Sequence, residues 1–111
     1  MIIKKNNKPI AKAKLLTTPW QHAIGLMFSK QKNLIFKFKE EKIHSLHMFF
    51  VFYPIDTIFL NKNKEIVELK ENFMPFTFYK AKNKATYILE LKRGTINHFD
   101  LKVRNIISLT P

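Results

Sequence analysis

Residues 43–60 read IHSLHMFFVFYPIDTIFL. An apolar run from Met48 to Ile55 stands in a chain of net charge +12, with His44 and His47 before it and Asp56 directly after it. Three readings compete: a membrane span, a buried strand, or the wall of a site holding a carboxylate. A membrane helix needs about 20 apolar residues. His47, Pro54 and Asp56 interrupt this run well short of that, so no membrane insertion is expected. Phe, Val and Tyr dominate residues 44–53 and Pro54 ends them, which predicts a strand buried on both faces or bent across two packed sheets. A further strand is expected over 56–60.

The flanking sequence supports a β-rich chain. Ala11, Ala13 and Leu15 alternate with Lys12 and Lys14, and Leu34, Phe36 and Phe38 alternate within NLIFKFK (33–39). Each is the period-2 pattern of a strand with one wet face. NKNK (61–64) is a polar turn between 56–60 and EIVELK (65–70), predicting a hairpin. ATYILELK (85–92) reads as a strand with Tyr87, Leu89 and Leu91 on one side and Ile88 and Glu90 on the other. TINHFDL reads as a helical turn or a loop, and 104–109 as a last strand. ENFMPFTFYKAKNK is irregular, with Met74, Phe76 and Phe78 expected to cover part of the core. Thr18, Pro19 and Gln21 carry the signals of a helix start: a hydroxyl cap, a proline with no N–H to lose, and an amide three residues after the cap. Trp20, Ile24, Met27 and Phe28 share one face of that short N-terminal helix.

Hairpin-sized connections favour antiparallel pairing. The expected fold is therefore mainly β, a small antiparallel β-sandwich or partly open barrel with one short N-terminal helix; an α+β fold is the alternative. A flexible N-terminus over 1–9 and a single β-rich domain over 10–111 are expected.

Composition narrows the chemistry. No cysteine is present, which removes thiolate nucleophiles and Cys-ligated zinc. Gly25 and Gly94 are the whole glycine content, so no glycine-rich phosphate loop exists. Ser29, Ser45 and Ser108 lack a nucleophile elbow. No cofactor is expected, and the opening MIIKKNNKPIAKAK is too polar for a signal peptide, which makes the expected location cytoplasmic. Of the 20 basic residues only Arg93 and Arg104 are arginine. Base-edge readout relies on arginine, so a nucleic-acid partner would be held non-specifically through the Lys-rich surface.

Asp56 is the leading candidate ligand-binding residue. Its isoleucine neighbours desolvate it, which suits a polar contact or proton transfer; the competing use is acceptance of backbone N–H groups where Pro54 breaks the strand. His47, Glu90, Trp20 and Met27 complete the candidate set. Glu90 is expected to be solvated or ion-paired, or to form a carboxylate pair if it meets Asp56. His44 and His47 point to opposite sides of a strand, so no metal site is expected.

Gly25-Leu26-Met27 after a Thr-initiated helix, HMFFVFYPIDTIFL (47–60), NKNKEIV and YILELKRG (87–94) occur in an order and spacing that resembles the family called domain of unknown function 192. The aromatic residues before Pro-Ile-Asp resemble its archaeal branch. The resemblance covers roughly residues 10–109 and implies a small, mostly β domain with no established activity. Its signature falls on Gly25, Leu26, Met27, Pro54, Asp56, Phe59, Leu89, Glu90 and Gly94. The combined reading is a non-enzymatic binding or interaction module for an unknown ligand or protein, with a site near Asp56. The alternatives are a Lys-rich polyanion binder and a small enzyme using Asp56 with a histidine.

Overall fold

A computed structural model describes residues 1–18, 21 and 25–111. Among the described residues there are ten strands: β1 (Ile2–Lys5), β2 (Lys8–Lys12), β3 (Lys14–Leu16), β4 (Leu34–Lys42), β5 (Ser45–His47), β6 (Ile55–Leu60), β7 (Ile66–Phe73), β8 (Phe78–Lys80), β9 (Ala85–Lys92) and β10 (Ser108–Thr110). One helical turn, α1 (Thr95–His98), follows β9. The fold is mainly β. A five-stranded sheet of order β3-β4-β9-β6-β7 forms its centre, beside a three-stranded sheet β10-β1-β2 and a two-stranded ribbon β5-β8. Pairing is antiparallel except between β3 and β4. Among the described residues no sheet closes into a barrel.

The central sheet is apolar on both faces. On one face Leu34, Phe36, Ile55, Phe59, Phe73 and Ile88 pack beneath the β5-β8 ribbon, with Met48 and Val51. On the other, Ile35, Ile58, Leu60, Leu89 and Leu91 pack against Ile3, Ala13, Ile96 and Ile107. This double cover explains why all six residues of β6 are buried, Asp56 and Thr57 included. Burying each large side chain contributes roughly 1.5–3 kcal/mol.

The first half of the long apolar run departs from expectation. Only Ser45–His47 is strand. Residues 48–53 form a loop in which Met48 and Val51 point inward while Phe49, Phe50 and Phe52 are exposed. Met74, Phe76 and Phe78 are likewise exposed rather than laid over the core. The reason lies in the backbone. Phe28, Phe50 and Phe76 all have left-handed conformations, with φ of 55°, 58° and 58°. A strand holds such a residue only at an irregularity, as β7 does at Asn72 with φ of 50°, and each costs on the order of 1–2 kcal/mol for a residue with a Cβ.

The other differences are smaller. Residues 1–9, expected as a flexible end, carry β1 and part of β2, and Ile3 is fully buried. A break at Ala13 divides the strand expected over 10–17. β4 runs through the expected EEK loop to Lys42, and the last strand starts later, at Ser108. Trp20 and Ile24 of the expected N-terminal helix lie outside the described residues, while Met27 and Phe28, expected on its face, lie in a turn with Phe28 left-handed. Thr18 Oγ1 accepts from Gln21 N at 3.1 Å, and Gln21 Oε1 accepts from Thr18 N at 3.2 Å, the reciprocal pair of a capping box.

Candidate functional site

Asp56 and Glu90 sit on adjacent strands of the central sheet but on opposite faces. In the β6-β9 register Asp56 lies opposite Leu91, and Thr57 lies opposite Glu90. Alternation along the pleat therefore sends Asp56 towards Leu91 and α1, and Glu90 towards Thr57 and the ribbon face. The two carboxyls do not meet.

Both Asp56 oxygens are engaged by backbone. Oδ1 accepts from Asn72 N at 3.0 Å, and Oδ2 accepts from Gly94 N at 3.1 Å and Ile96 N at 2.9 Å. A β6 carboxylate thus caps α1, which has no side-chain cap of its own. The turn needs Gly94 for its φ of 94° and not for space, because a Cβ there would meet nothing within 4 Å. Two residues of the resemblance signature, Asp56 and Gly94, are accounted for by this one contact. Phe59 is accounted for by its full burial in the ribbon-face core.

Glu90 has a different environment. It is 7% exposed, where solvation or ion pairing was expected, because the ribbon and its loops cover that face. Its carboxyl lines a cavity of about 570 Å³. Among the described residues no donor meets it, and burial pushes its pKa up to about 8. Beside it in the ladder, the Thr57 hydroxyl is fully buried, also with no hydrogen-bond partner among the described residues. The Glu90 charge reaches Tyr53, whose hydroxyl is raised mainly by burial and further by that charge.

The remaining walls come from separate parts of the chain. Gly25, Leu26 and Met27 form one side; Phe36 and Phe38 from β4 and Ile88 from β9 form the floor; Leu46, Met48 and Val51 form the roof. His44, Ser45 and His47 supply polar atoms, and Lys37, Lys39 and Lys42 also line it; of these, Lys42 pairs with Ala85 of the ribbon-face core. His44 is buried, with Nε2 3.1 Å from Ala85 O and its ring 3.9 Å from Phe38. His47 is exposed and accepts from Phe49 N at 3.2 Å. Of the candidate residues, the cavity unites Met27, His47 and Glu90. Asp56 lies across the sheet from both histidines, so it forms no acid–histidine dyad with either. No cluster of three metal-ligating side chains occurs among the described residues, and no helix among them is long and apolar enough to cross a membrane.

Leu46, Met48, Val51 and the lysines were not singled out by sequence. The alternation of LIFKFK marked Phe36 and Phe38 as inward-facing, but nothing local indicated that the following ribbon would fold back over them.

A third buried carboxylate, Glu68 on β7, serves the ribbon. It accepts from Tyr79 Oη, from Lys82 N at 2.8 Å, from Asn83 N at 2.9 Å and from Asn83 Nδ2 at 3.1 Å. Burial raises its pKa, but these bonds outweigh that and hold the carboxyl below its ordinary range. Tyr79 is pushed up to about 12 by burial and by the Glu68 bond and charge.

Comparison with known proteins places the fold. The chain is 32% identical over 109 residues to a UPF0127 protein of the archaeon Thermococcus sibiricus, covering 93% of this chain and 70% of that protein. It is 43% identical over 83 residues to a UPF0127 protein of Pyrococcus furiosus, covering 72% and 71%. A crystal structure from Novosphingobium aromaticivorans, described as a protein of unknown function, superposes with a TM-score of 0.81 at 21% identity, covering 87% of this chain and 74% of that one. At that identity the likeness concerns the fold. The family profile DUF192, described as Uncharacterized ACR, COG1430, matches residues 1–109, and the chain belongs to that family, in its archaeal branch.

Proposed function

We propose that the protein is a non-enzymatic binding module whose ligand enters the cavity beside Glu90. One observation carries this reading: a buried carboxyl without a partner among the described residues forms part of the wall of a largely apolar cavity large enough for a small molecule. An unsatisfied buried polar group costs about 1–3 kcal/mol, and a ligand that supplies its partner recovers that energy. Near neutral pH the carboxyl is mainly protonated, so it favours a neutral hydrogen-bonding group such as an amide or carbonyl. Lys42, which lines the cavity and pairs with Ala85 of the ribbon-face core, favours an anionic end. The ligand is then an amphipathic molecule with an apolar body, a neutral polar group and one anionic group. Asp56 is assigned to the fold, since its oxygens are committed to backbone.

The probe is 8-anilinonaphthalene-1-sulfonate, which has an aromatic body and one anionic group. Titrated into protein carrying 13C-labelled Met and Leu methyls, it is expected to move Met27, Leu46 and Met48 with one saturable constant. Lys42→Glu is expected to weaken that constant. Methyl signals that stay in place while only surface resonances respond would refute the reading.

Polyanion binding is the second reading. A single ion pair, Lys102 to Asp100 at 3.7 Å, forms among the described residues, which leaves the lysine charge largely uncompensated. Affinity for single-stranded DNA that falls steeply with salt supports it; a salt-independent affinity excludes it.

A further inference from the structure

Three loops meet beside the cavity and each presents phenylalanine to solvent. Phe28, Phe52 and Phe78 are 70%, 64% and 71% exposed, and Phe49, Phe50 and Phe76 are also exposed. The rings meet in two groups, Phe28, Phe50, Phe76 and Phe52 in one and Phe49 with Phe78 in the other, carried by consecutive residues of the same loop. Phe28 stacks on Phe50 at 4.7 Å, Phe76 meets Phe50 at 6.0 Å and Phe52 at 5.5 Å, and Phe49 meets Phe78 at 4.8 Å. Backbone bonds hold the loops in place: Phe28 N donates to Phe50 O, Phe76 N to Met48 O, and Met48 N to Thr77 O, each at 2.8 Å.

This surface is built at a conformational cost. Phe28, Phe50 and Phe76 occupy left-handed conformations, where Gly or Asn is the usual occupant. Phe76 follows Pro75, the turn position at which Gly or Asn is most favoured. A bulky ring held there and left in water contributes little to folding. Strain of this kind points towards a functional use, and an exposed apolar patch on a small protein marks an interaction surface.

The charge indicates what covers it. Residues 1–39 contain no acid, residues 72–89 contain none, and Asp56, the only acid in 42–64, is buried across the sheet. Lys30 and Lys80 follow Phe28 and Phe78 closely and are exposed. A second copy of the chain would set lysine against lysine. Nucleobases need free ring faces, but stacking and edge-to-face contacts within the patch already occupy part of these rings.

We propose that this phenylalanine plateau docks a protein segment that combines carboxylates with bulky apolar side chains. The carboxylates pair with the bordering lysines, and the apolar side chains cover the rings, the arrangement of an interface with an apolar centre and a charged rim. This holds whether or not the neighbouring cavity binds a small molecule.

The test is selection of a displayed random-peptide library on the full chain, followed by 15N NMR with the peptides recovered. Peptides rich in Asp or Glu and in Phe or Leu are expected, shifting the signals of Phe28, Phe50, Phe76 and Phe78. Phe50→Asn with Phe76→Asn places residues that tolerate the left-handed conformation. That variant is expected to unfold at an equal or higher urea midpoint while binding at least roughly tenfold more weakly, about 1.4 kcal/mol. A lower urea midpoint would mean that the rings serve the fold, and undiminished binding would mean that they do not contact the peptide; either overturns the proposal. So do recovered peptides without acidic enrichment. Oligo-thymidylate, or vesicles of phosphatidylcholine and phosphatidylserine, shifting these signals where no peptide does would also overturn it.

Discussion

Replacing Glu90 by Gln keeps the side chain's size and removes its titration. In the unfolded chain the carboxyl titrates near 4.5; in the folded protein burial holds it near 8. The folded state therefore keeps its proton when the unfolded state has lost it. The carboxyl's contribution is fully favourable below about pH 4.5, declines as pH rises, and is lost once pH passes about 8. At about 1.4 kcal/mol for each tenfold difference in proton affinity, the wild-type protein loses at most roughly 3 kcal/mol by pH 7 and roughly 5 kcal/mol above pH 8. These are ceilings, because a carboxyl that touches a cavity draws in water as it ionises. Glu90→Gln is accordingly expected to exceed wild type by less than about 1 kcal/mol at pH 5 and by several kcal/mol at pH 9. Urea unfolding of both proteins from pH 5 to 9 measures this directly. Parallel stability curves across that range would refute the burial argument, and a Gln variant less stable throughout would reveal a structural bond to the carboxyl.

Asp56→Ala leaves the Asn72, Gly94 and Ile96 N–H groups without their acceptor and is expected to cost about 3–5 kcal/mol. Asp56→Asn retains one acceptor and is expected to cost less than half as much in the same urea experiment, without altering 8-anilinonaphthalene-1-sulfonate binding. Glu68→Gln weakens the four bonds that hold Tyr79, Lys82 and Asn83, with an expected loss of roughly 1–3 kcal/mol at pH 7. Because the folded Glu68 carboxyl titrates below its ordinary value, its contribution is present above about pH 4.5 and disappears as pH falls through the folded value, so the two proteins should converge in acid.

Alternation and turn chemistry made much of this fold legible. ATYILELK became β9 because its apolar residues repeat at the strand period, IDTIFL became β6 as a short β-prone run after Pro54 that is buried on both faces, and NKNK supplied the hairpin from it to EIVELK in β7. The loop at 48–53 was not legible. MFFVFY has the composition of a strand, and no local signal places Phe50 at φ 58°; that follows from the backbone bonds the loop makes to Phe28 and Thr77, distant in sequence. The site was half legible for a related reason. Alternation correctly set Glu90 opposite Leu89 and Leu91, but whether that outer face meets water depends on the ribbon folding over it. Asp56 drew attention by standing among isoleucines. Its partners, Gly94 N and Ile96 N, lie about 40 residues away, so its capping role becomes visible only once the strands are assembled.

Everything proposed for the cavity depends on Glu90 being a desolvated carboxyl. The 13C resonance of its side-chain carboxyl, followed by NMR against pH in the intact chain, measures that state without perturbing it. A midpoint near 8, displaced when 8-anilinonaphthalene-1-sulfonate fills the cavity, is the expected result. A midpoint near 4.5, unmoved by the probe, would mean that water already solvates this carboxyl and that the cavity wall is not the binding surface inferred here.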